Sequence, residues 1–146
     1  MAFNAFKDFL DDVRKSGETL FARVKDADTF RRVVSGAFLI ARADGVFDAS
    51  EKSALAKLIA KDLSQFKIDD ITAALDKAMA KIEFDAGLGK LELLDDIAKA
   101  RGESAELVMR TCCYIGAADG KFDENEKAVA REICARLGLQ PSNYGL

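Results

Sequence analysis

The chain has 146 residues, of which 49% are hydrophobic and 32% charged, and its formal net charge is −3. This length fits one domain with a single buried core, and the slight acidic balance argues against a nucleic-acid-binding surface. The sequence has no His, which excludes His metal ligands, Ser-His-Asp triads and His acid–base catalysis.

Apolar residues at i, i+3, i+4 and i+7 from Phe6 predict a first helix over about 4–15. Asn4 is its expected N-cap and Gly17 its expected end. Because the polar face of this helix is acidic, we expect the apolar face to dock on the core and not on an anionic membrane. Acidic residues interrupt this segment, so it does not read as a secretory signal, and we expect a cytoplasmic protein.

Six or seven further helices follow, depending on whether the sequence DAD at 26–28 separates the second helix from the third. The third is apolar around most of its surface and should be central. No segment has the alternation of a β-strand, so we predict an all-α single domain, 1–146, of seven to eight helices. The segment 84–90 is a loop or a helix start, and Gly102 should close the sixth helix. The expected ranges are about 18–25, 28–43, 49–63, 68–83, 90–100, 104–118 and 124–137.

One acidic segment occurs twice: RADGVFDASEK at 42–52 and AADGKFDENEK at 117–127. Their matching residues are 75 positions apart, and apolar residues on both sides match at the same offset. The sequence therefore predicts two pseudo-symmetric helix–acidic turn–helix repeats, over about 29–63 and 104–138. We call 42–52 the first acidic turn and 117–127 the second acidic turn.

Much of each acidic turn can be explained as the start of a helix. Asp48 and Glu51, like Asp123 and Glu126, have the spacing of a capping box, in which the two side chains accept from backbone N–H groups of the first turn. Gly45 would end the preceding helix. By this interpretation the chain is a metal-independent scaffold for protein interactions.

Capping does not explain Asp44 and Asp119, each expected at the C-terminal end of a helix, where the dipole disfavours a carboxylate. A cation nearby would offset this, either a lysine such as Lys52 or Lys127 or a divalent metal ion. Carboxylate oxygens suit Ca²⁺ or Mg²⁺. One turn offers too few ligands for the about six to eight oxygens that Ca²⁺ takes, so a strong site needs both turns close together.

Three features of the chain resemble the TerB family of tellurite-resistance proteins: the paired acidic turns, FDAGLGK at 84–90 and the terminal LGLQPSNYGL. The resemblance covers nearly the whole chain, and a related domain occurs in a membrane-anchored DnaJ-like co-chaperone. It implies an all-helical pseudo-symmetric domain with an acidic cluster that binds divalent metal. It also implies a role in bacterial tellurite and stress resistance, without catalysis. Carried onto this sequence, the ligands are Asp44, Asp48, Glu51, Asp119, Asp123 and Glu126, with Glu83 and Asp85 as weaker candidates.

The resemblance also implies protein partners, including a membrane protein of the same system, so that the chain would sit at the inner membrane only through a partner. We expect neither nucleic-acid binding nor direct membrane insertion. A metal-dependent hydrolase using the same carboxylates is the enzyme alternative. Because the three cysteines lie in apolar helical patterns without CxxC spacing, we expect buried, reduced thiols.

Overall fold

The structure, a computed structural model, describes residues 5–118 and 123–146. These residues form eight α-helices and one short 3₁₀ helix, with no strand among them, so the predicted all-α fold is confirmed. The α-helices are α1 (Ala5–Lys15), α2 (Gly17–Ala22), α3 (Ala27–Ala41), α4 (Ala49–Asp62), α5 (Ile68–Phe84), α6 (Ala86–Ile97), α7 (Glu103–Gly116) and α8 (Glu124–Arg136), and the 3₁₀ helix is Pro141–Tyr144.

Helix α1 docks on the protein as its apolar stripe predicts. Phe6, Leu10 and Val13 are buried, and the ring of Phe9 meets the ring of Tyr144 edge to face at 5.2 Å. This contact joins α1 to the 3₁₀ helix near the C-terminus. The predicted N-cap, Asn4, lies outside the described residues.

Helix α1 ends at Lys15, as predicted, but Gly17 is not the residue that stops it. Gly17 is the first residue of α2 and is buried beneath Phe21, whose ring would lie 3.1 Å from a Cβ at this position. The glycine is there because the ring passes close over the backbone.

Two separate helices, α2 and α3, occupy residues 17–41, so the seven-helix alternative is wrong. Asp26 is the N-cap of α3 and accepts a hydrogen bond from the backbone N–H of Thr29 at 2.9 Å. Gln65 donates from its side-chain amide to the carbonyls of Phe21 and Val24, at 2.9 and 2.8 Å. The carbonyl of Phe21 also accepts from the backbone N–H of Val24 at 3.1 Å, so Gln65 adds a second bond there and gives a partner to the carbonyl of Val24, just beyond α2.

Helix α3 is central, as its composition predicts, and packs closely against α7. A Cβ at Gly36 would lie 2.8 Å from the Cβ of Cys112, and one at Gly116 would lie 2.8 Å from the Cβ of Ile40. Small residues on both helices therefore permit the close crossing. Each predicted repeat contains a helix–turn–helix, α3–α4 and α7–α8, while their pseudo-symmetry and the single-domain assignment remain predictions.

Helix α6 begins earlier than predicted, at Ala86 and not near Lys90. Asp85 is its N-cap and accepts from the backbone N–H of Leu88 at 2.9 Å, so FDAGLGK is largely helical. Gly102 does not close α6, which ends at Ile97. It precedes α7 with φ +57°, a backbone conformation that suits glycine.

All three cysteines are buried and free, as predicted. A hydrogen bond with Cys112, together with burial, raises the pKa of the Cys113 thiol well above its usual value, and burial raises the pKa of Cys134. Since the thiolate is the reactive form, these groups are poorly suited to redox or nucleophilic chemistry.

Arg31 on α3 and Asp96 on α6 form a two-pronged ion pair, with N–O distances of 2.8 and 2.9 Å. The hydrogen bonds from Arg31 lower the pKa of Asp96 in the folded state. The pair therefore stabilises the fold above the unfolded-state pKa of about 4, and this stabilisation is lost as the pH falls through the folded-state pKa.

We expect Asp96→Asn to lower the free energy of unfolding by about 1 kcal/mol at pH 7 and by less below pH 3. Urea titrations at both pH values check this, with exposed Asp70→Asn as the control. If Asp96→Asn lowered the free energy of unfolding equally at both pH values, the role of this ion pair would be contradicted.

None of the helices in the described ranges is long and apolar enough to cross a membrane.

Candidate metal centre

The first acidic turn begins just after α3, where Asp44 is exposed and Gly45 has φ +91°. The side chain of Asp44 accepts a hydrogen bond from the backbone N–H of Val46 at 3.0 Å. This is an Asx turn, in which a short carboxylate takes over a backbone bond. Capping leaves Asp44 unexplained, but this bond gives its carboxylate a local role in shaping the turn.

The lysine suggested as a neutralising partner of Asp44 is engaged elsewhere. Lys52 forms an ion pair with Asp76 on α5, which ties the start of α4 to α5. Its counterpart Lys127 lies 3.8 Å from Glu124 on its own helix. Because Lys52 is paired with Asp76, it does not supply the positive charge proposed beside Asp44.

The predicted capping box of α4 is confirmed. Asp48 accepts from the backbone N–H of Glu51 at 2.8 Å, and Glu51 accepts from the backbone N–H of Asp48 at 3.1 Å. Phe47, just before the cap, packs edge to face on Phe38 of α3 at 5.0 Å. One oxygen of each capping carboxylate is therefore bound to the backbone.

This cap leads to a prediction that separates the roles of Asp48 and Asp44. We expect Asp48→Ala to lower the free energy of unfolding by about 1 kcal/mol, since the N3 backbone N–H loses its acceptor. Asp44→Asn should change it by less than about 0.5 kcal/mol, because the amide oxygen of asparagine can still accept from Val46. Urea denaturation of the two variants measures both values. Equal losses would mean that Asp44 has a structural role beyond its turn.

The structure describes the second acidic turn at 117–118 and from Asp123 onward, and Asp119 lies outside the described residues. Asp123 is the N-cap of α8 and accepts from the backbone N–H of Glu126 at 2.8 Å. Glu126 has only 5% of its surface exposed, whereas its counterpart Glu51 is half-buried. The two turns share a sequence but hold this glutamate in different environments.

The burial of Glu126 escaped the sequence interpretation, although the signal was present. Glu126 stands three and seven positions before Val129 and Ile133, which are both buried. Residues at this spacing lie on one helix face, so the pattern of α8 places Glu126 on the side that faces the core.

The two weaker candidates lie at the end of α5 and have different surroundings. Asp85 is the cap of α6, while Glu83 lines a small cavity of about 160 Å³ that Gly45 and Arg42 also line. The structure therefore brings Glu83 beside the first acidic turn. Arg42 in the same cavity is a competing source of positive charge. The remaining walls are apolar: Phe38, Phe47, Met79 and Ile82.

In the part of the chain that the structure describes, no three Asp, Glu, Cys or His side chains lie close enough together to hold a metal ion. Asp44, Asp48 and Glu51 do not converge on one point as a group. A separate cleft of about 670 Å³ lies elsewhere, between the α2–α3 junction and the start of α7. Its walls carry basic and acidic residues in equal number: Arg23, Lys25, Arg110, Asp26, Glu103 and Glu106.

The fold and these turns define an all-helical module with two capped acidic connections around a central helix pair. The family model described as "Tellurite resistance protein TerB" matches residues 18–146. The chain belongs to this TerB family, and it is a tellurite-resistance-related domain. No curated protein and no solved structure was found to match it.

Proposed function

We propose that the chain is a non-enzymatic module that binds a divalent cation, Ca²⁺ or Mg²⁺, through its acidic turns in bacterial tellurite and stress resistance. The observation that carries this proposal is the family match, because residues 18–146 take in both turns with their carboxylates at matching positions. Asp44, Glu51, Asp119 and Glu126 are the proposed ligands, while Asp48 and Asp123 divide their oxygens between capping and coordination.

The environment of the turns adds support to this proposal. At the first acidic turn, Glu83 could supply a further oxygen. Asp44 and Asp48 each give one oxygen to the backbone, so coordination by their other oxygens would require the side chains to move together around the ion.

Protein partners complete the proposed role. The chain would work in the cytoplasm with other proteins of its resistance system, including a membrane protein that holds it at the inner membrane. Because the chain has no His, any acid–base catalysis would have to use the carboxylates of the acidic turns, and we propose no enzymatic activity. Phosphatase and nuclease assays with added Mg²⁺ or Mn²⁺ should show no turnover.

A second candidate is a metal-independent interaction scaffold, similar to a co-chaperone domain. The observation in its favour is that backbone hydrogen bonds to Asp44, Asp48, Glu51 and Asp123 give each of these residues a local structural role. This candidate requires no ion in either turn.

Thermal melts in Ca²⁺, Mg²⁺ or chelator separate the two candidates. A cation present at about 100 times its Kd stabilises the folded state by about 2.7 kcal/mol, which should raise the Tm by about 5–10 °C for a chain of this size. Asp44→Asn should reduce this shift, while Asp70→Asn, which removes an exposed carboxylate on α5, should not. The absence of a shift with either ion at millimolar concentration would favour the scaffold.

A further inference from the structure

The corner between α5 and α6 exposes three large apolar side chains. Phe84, the last residue of α5, has 86% of its surface exposed, and Leu88 and Leu91 on the first turns of α6 are 50% and 52% exposed. We call Phe84, Leu88 and Leu91 the corner patch. Single exposed apolar residues are ordinary, but three within eight positions, one of them an almost fully exposed Phe, are typical of a contact surface.

The corner patch stands on a tightly built corner. The backbone N–H of Asp85 donates to the carbonyl of Lys81 at 3.2 Å, and the backbone N–H of Gly89 donates to the carbonyl of Asp85 at 2.7 Å. A Cβ at Gly89 would collide with the backbone of Lys81, so α6 lies directly on α5. A partner would therefore meet a surface that is already in place, which keeps the ordering cost of binding low.

The charges around the corner patch point to a basic partner. Lys81 pairs with Glu92, Lys90 with Glu132, and Arg136 with Asp95. Within residues 5–118 and 123–146, neither Glu83 nor Asp85 forms an ion pair, although both flank Phe84 and are exposed. Arg42 lines the cavity beside Glu83 and offsets part of this charge, so the two carboxylates together leave the surface around the three apolar side chains with a smaller excess of negative charge.

A second copy of this chain fits the corner patch less well. Two corner patches placed face to face would bring Glu83 and Asp85 of one copy close to acidic residues of the other, since the nearby lysines are already paired. Like charges brought together in an interface oppose association. An amphipathic helix with apolar residues on one face and Lys or Arg along its edges would cover the three apolar side chains and pair with the acidic ones.

We propose that the corner patch is a docking site for a basic amphipathic helix of a partner protein. Phe84 is the anchor that the apolar face of the partner covers, Leu88 and Leu91 extend the contact along α6, and Glu83 and Asp85 pair with basic residues at its edge. The three apolar side chains are not proposed metal ligands, but Glu83 and Asp85 are also the weaker metal candidates, so peptide binding is measured in chelator, where no cation competes for them.

The test uses a fluorescein-labelled 18-residue helical peptide with a leucine face and lysine edges, and the same peptide with glutamate edges, read by fluorescence anisotropy in chelator. We expect the lysine peptide to bind saturably and Phe84→Ser to weaken it at least about 10-fold. Glu83→Lys should weaken it several-fold. The control Ile68→Ser removes another exposed apolar residue, about 24 Å away at the other end of α5, and should leave binding unchanged.

Several outcomes would overturn the proposal. The proposal fails if the lysine peptide does not bind or if Phe84→Ser binds it as tightly as the unaltered chain does. It also fails if the glutamate peptide binds as tightly as the lysine peptide. Sedimentation of the chain alone tests the second-copy alternative, and a dimer that Phe84→Ser dissociates would make another copy of the chain the occupant. Flotation with vesicles containing phosphatidylglycerol tests a lipid surface, and binding lost in Phe84→Ser would assign the corner patch to the membrane.

Discussion

Phe38→Ala is expected to lower the free energy of unfolding by about 3–5 kcal/mol, the loss typical of removing a buried aromatic ring from a core. Phe38 is 1% exposed on the central helix α3. Its ring supports Phe47 of the first acidic turn and lines the small cavity beside Glu83. Deleting the ring enlarges a cavity that is already present, and the rigid helix crossing of α3 and α7 limits how far the surroundings can close around it.

Urea denaturation measures this loss, and the chain provides a matched control. Phe84→Ala removes the same atoms from an exposed position and should change the free energy of unfolding by less than about 0.5 kcal/mol. A loss below about 1 kcal/mol in Phe38→Ala would contradict the central position of this ring. Because Phe38 holds the first acidic turn through Phe47, we also expect its removal to weaken cation binding there.

Gly89→Ala is expected to lower the free energy of unfolding by about 3 kcal/mol, against the intrinsic preference of helices for alanine. In an open helix this change would stabilise by up to about 1 kcal/mol. Here the added methyl would collide with the carbonyl oxygen and carbonyl carbon of Lys81. Backbone atoms cannot rotate away as a side chain can, so α6 must move from α5 as a unit, which is costly in a well-packed core.

Gly87→Ala is the control, two residues earlier on the same helix. A Cβ at Gly87 would meet only the carboxylate oxygen of Asp85, at 3.7 Å, which is an ordinary contact. This variant should be neutral or slightly more stable in the same urea titration. If Gly89→Ala behaved like Gly87→Ala, the close approach of α5 and α6 would be wrong.

The helical fold could be predicted from the sequence because the information is local. The spacing of Phe6, Leu10 and Val13 gives the buried face of α1, and the D-x-x-E pattern at Asp48 gives the capping box of α4. Such patterns act within one or two helical turns, so they can be read without knowing what packs against them.

The remaining features depend on contacts that the spacing of apolar and capping residues does not reveal. Gly17 reads as a helix end, yet the ring of Phe21 accounts for it. Gly89 lies in a segment that reads as a loop or a helix start, and the backbone of α5 accounts for the glycine. At the site, the sequence identifies the acidic residues but not the Asx turn at Asp44 or the position of Glu83 beside Gly45. The Asx turn is local but depends on the backbone conformation of the turn, whereas the position of Glu83 arises from how the end of α5 returns to the first acidic turn.

The proposed role of the chain depends on whether its acidic turns bind a divalent cation. Isothermal titration calorimetry with Ca²⁺ and with Mg²⁺ tests this most directly, on the unaltered chain and on the Asp44→Asn/Asp119→Asn double variant. The double variant Asp69→Asn/Asp70→Asn loses the same charge from α5 and serves as the control. We predict saturable binding of at least one ion by the unaltered chain and by the control, and its loss in the Asp44→Asn/Asp119→Asn variant. No saturable heat with either ion at millimolar concentration, or binding that the Asp44→Asn/Asp119→Asn variant retains, would contradict a metal site built on these turns.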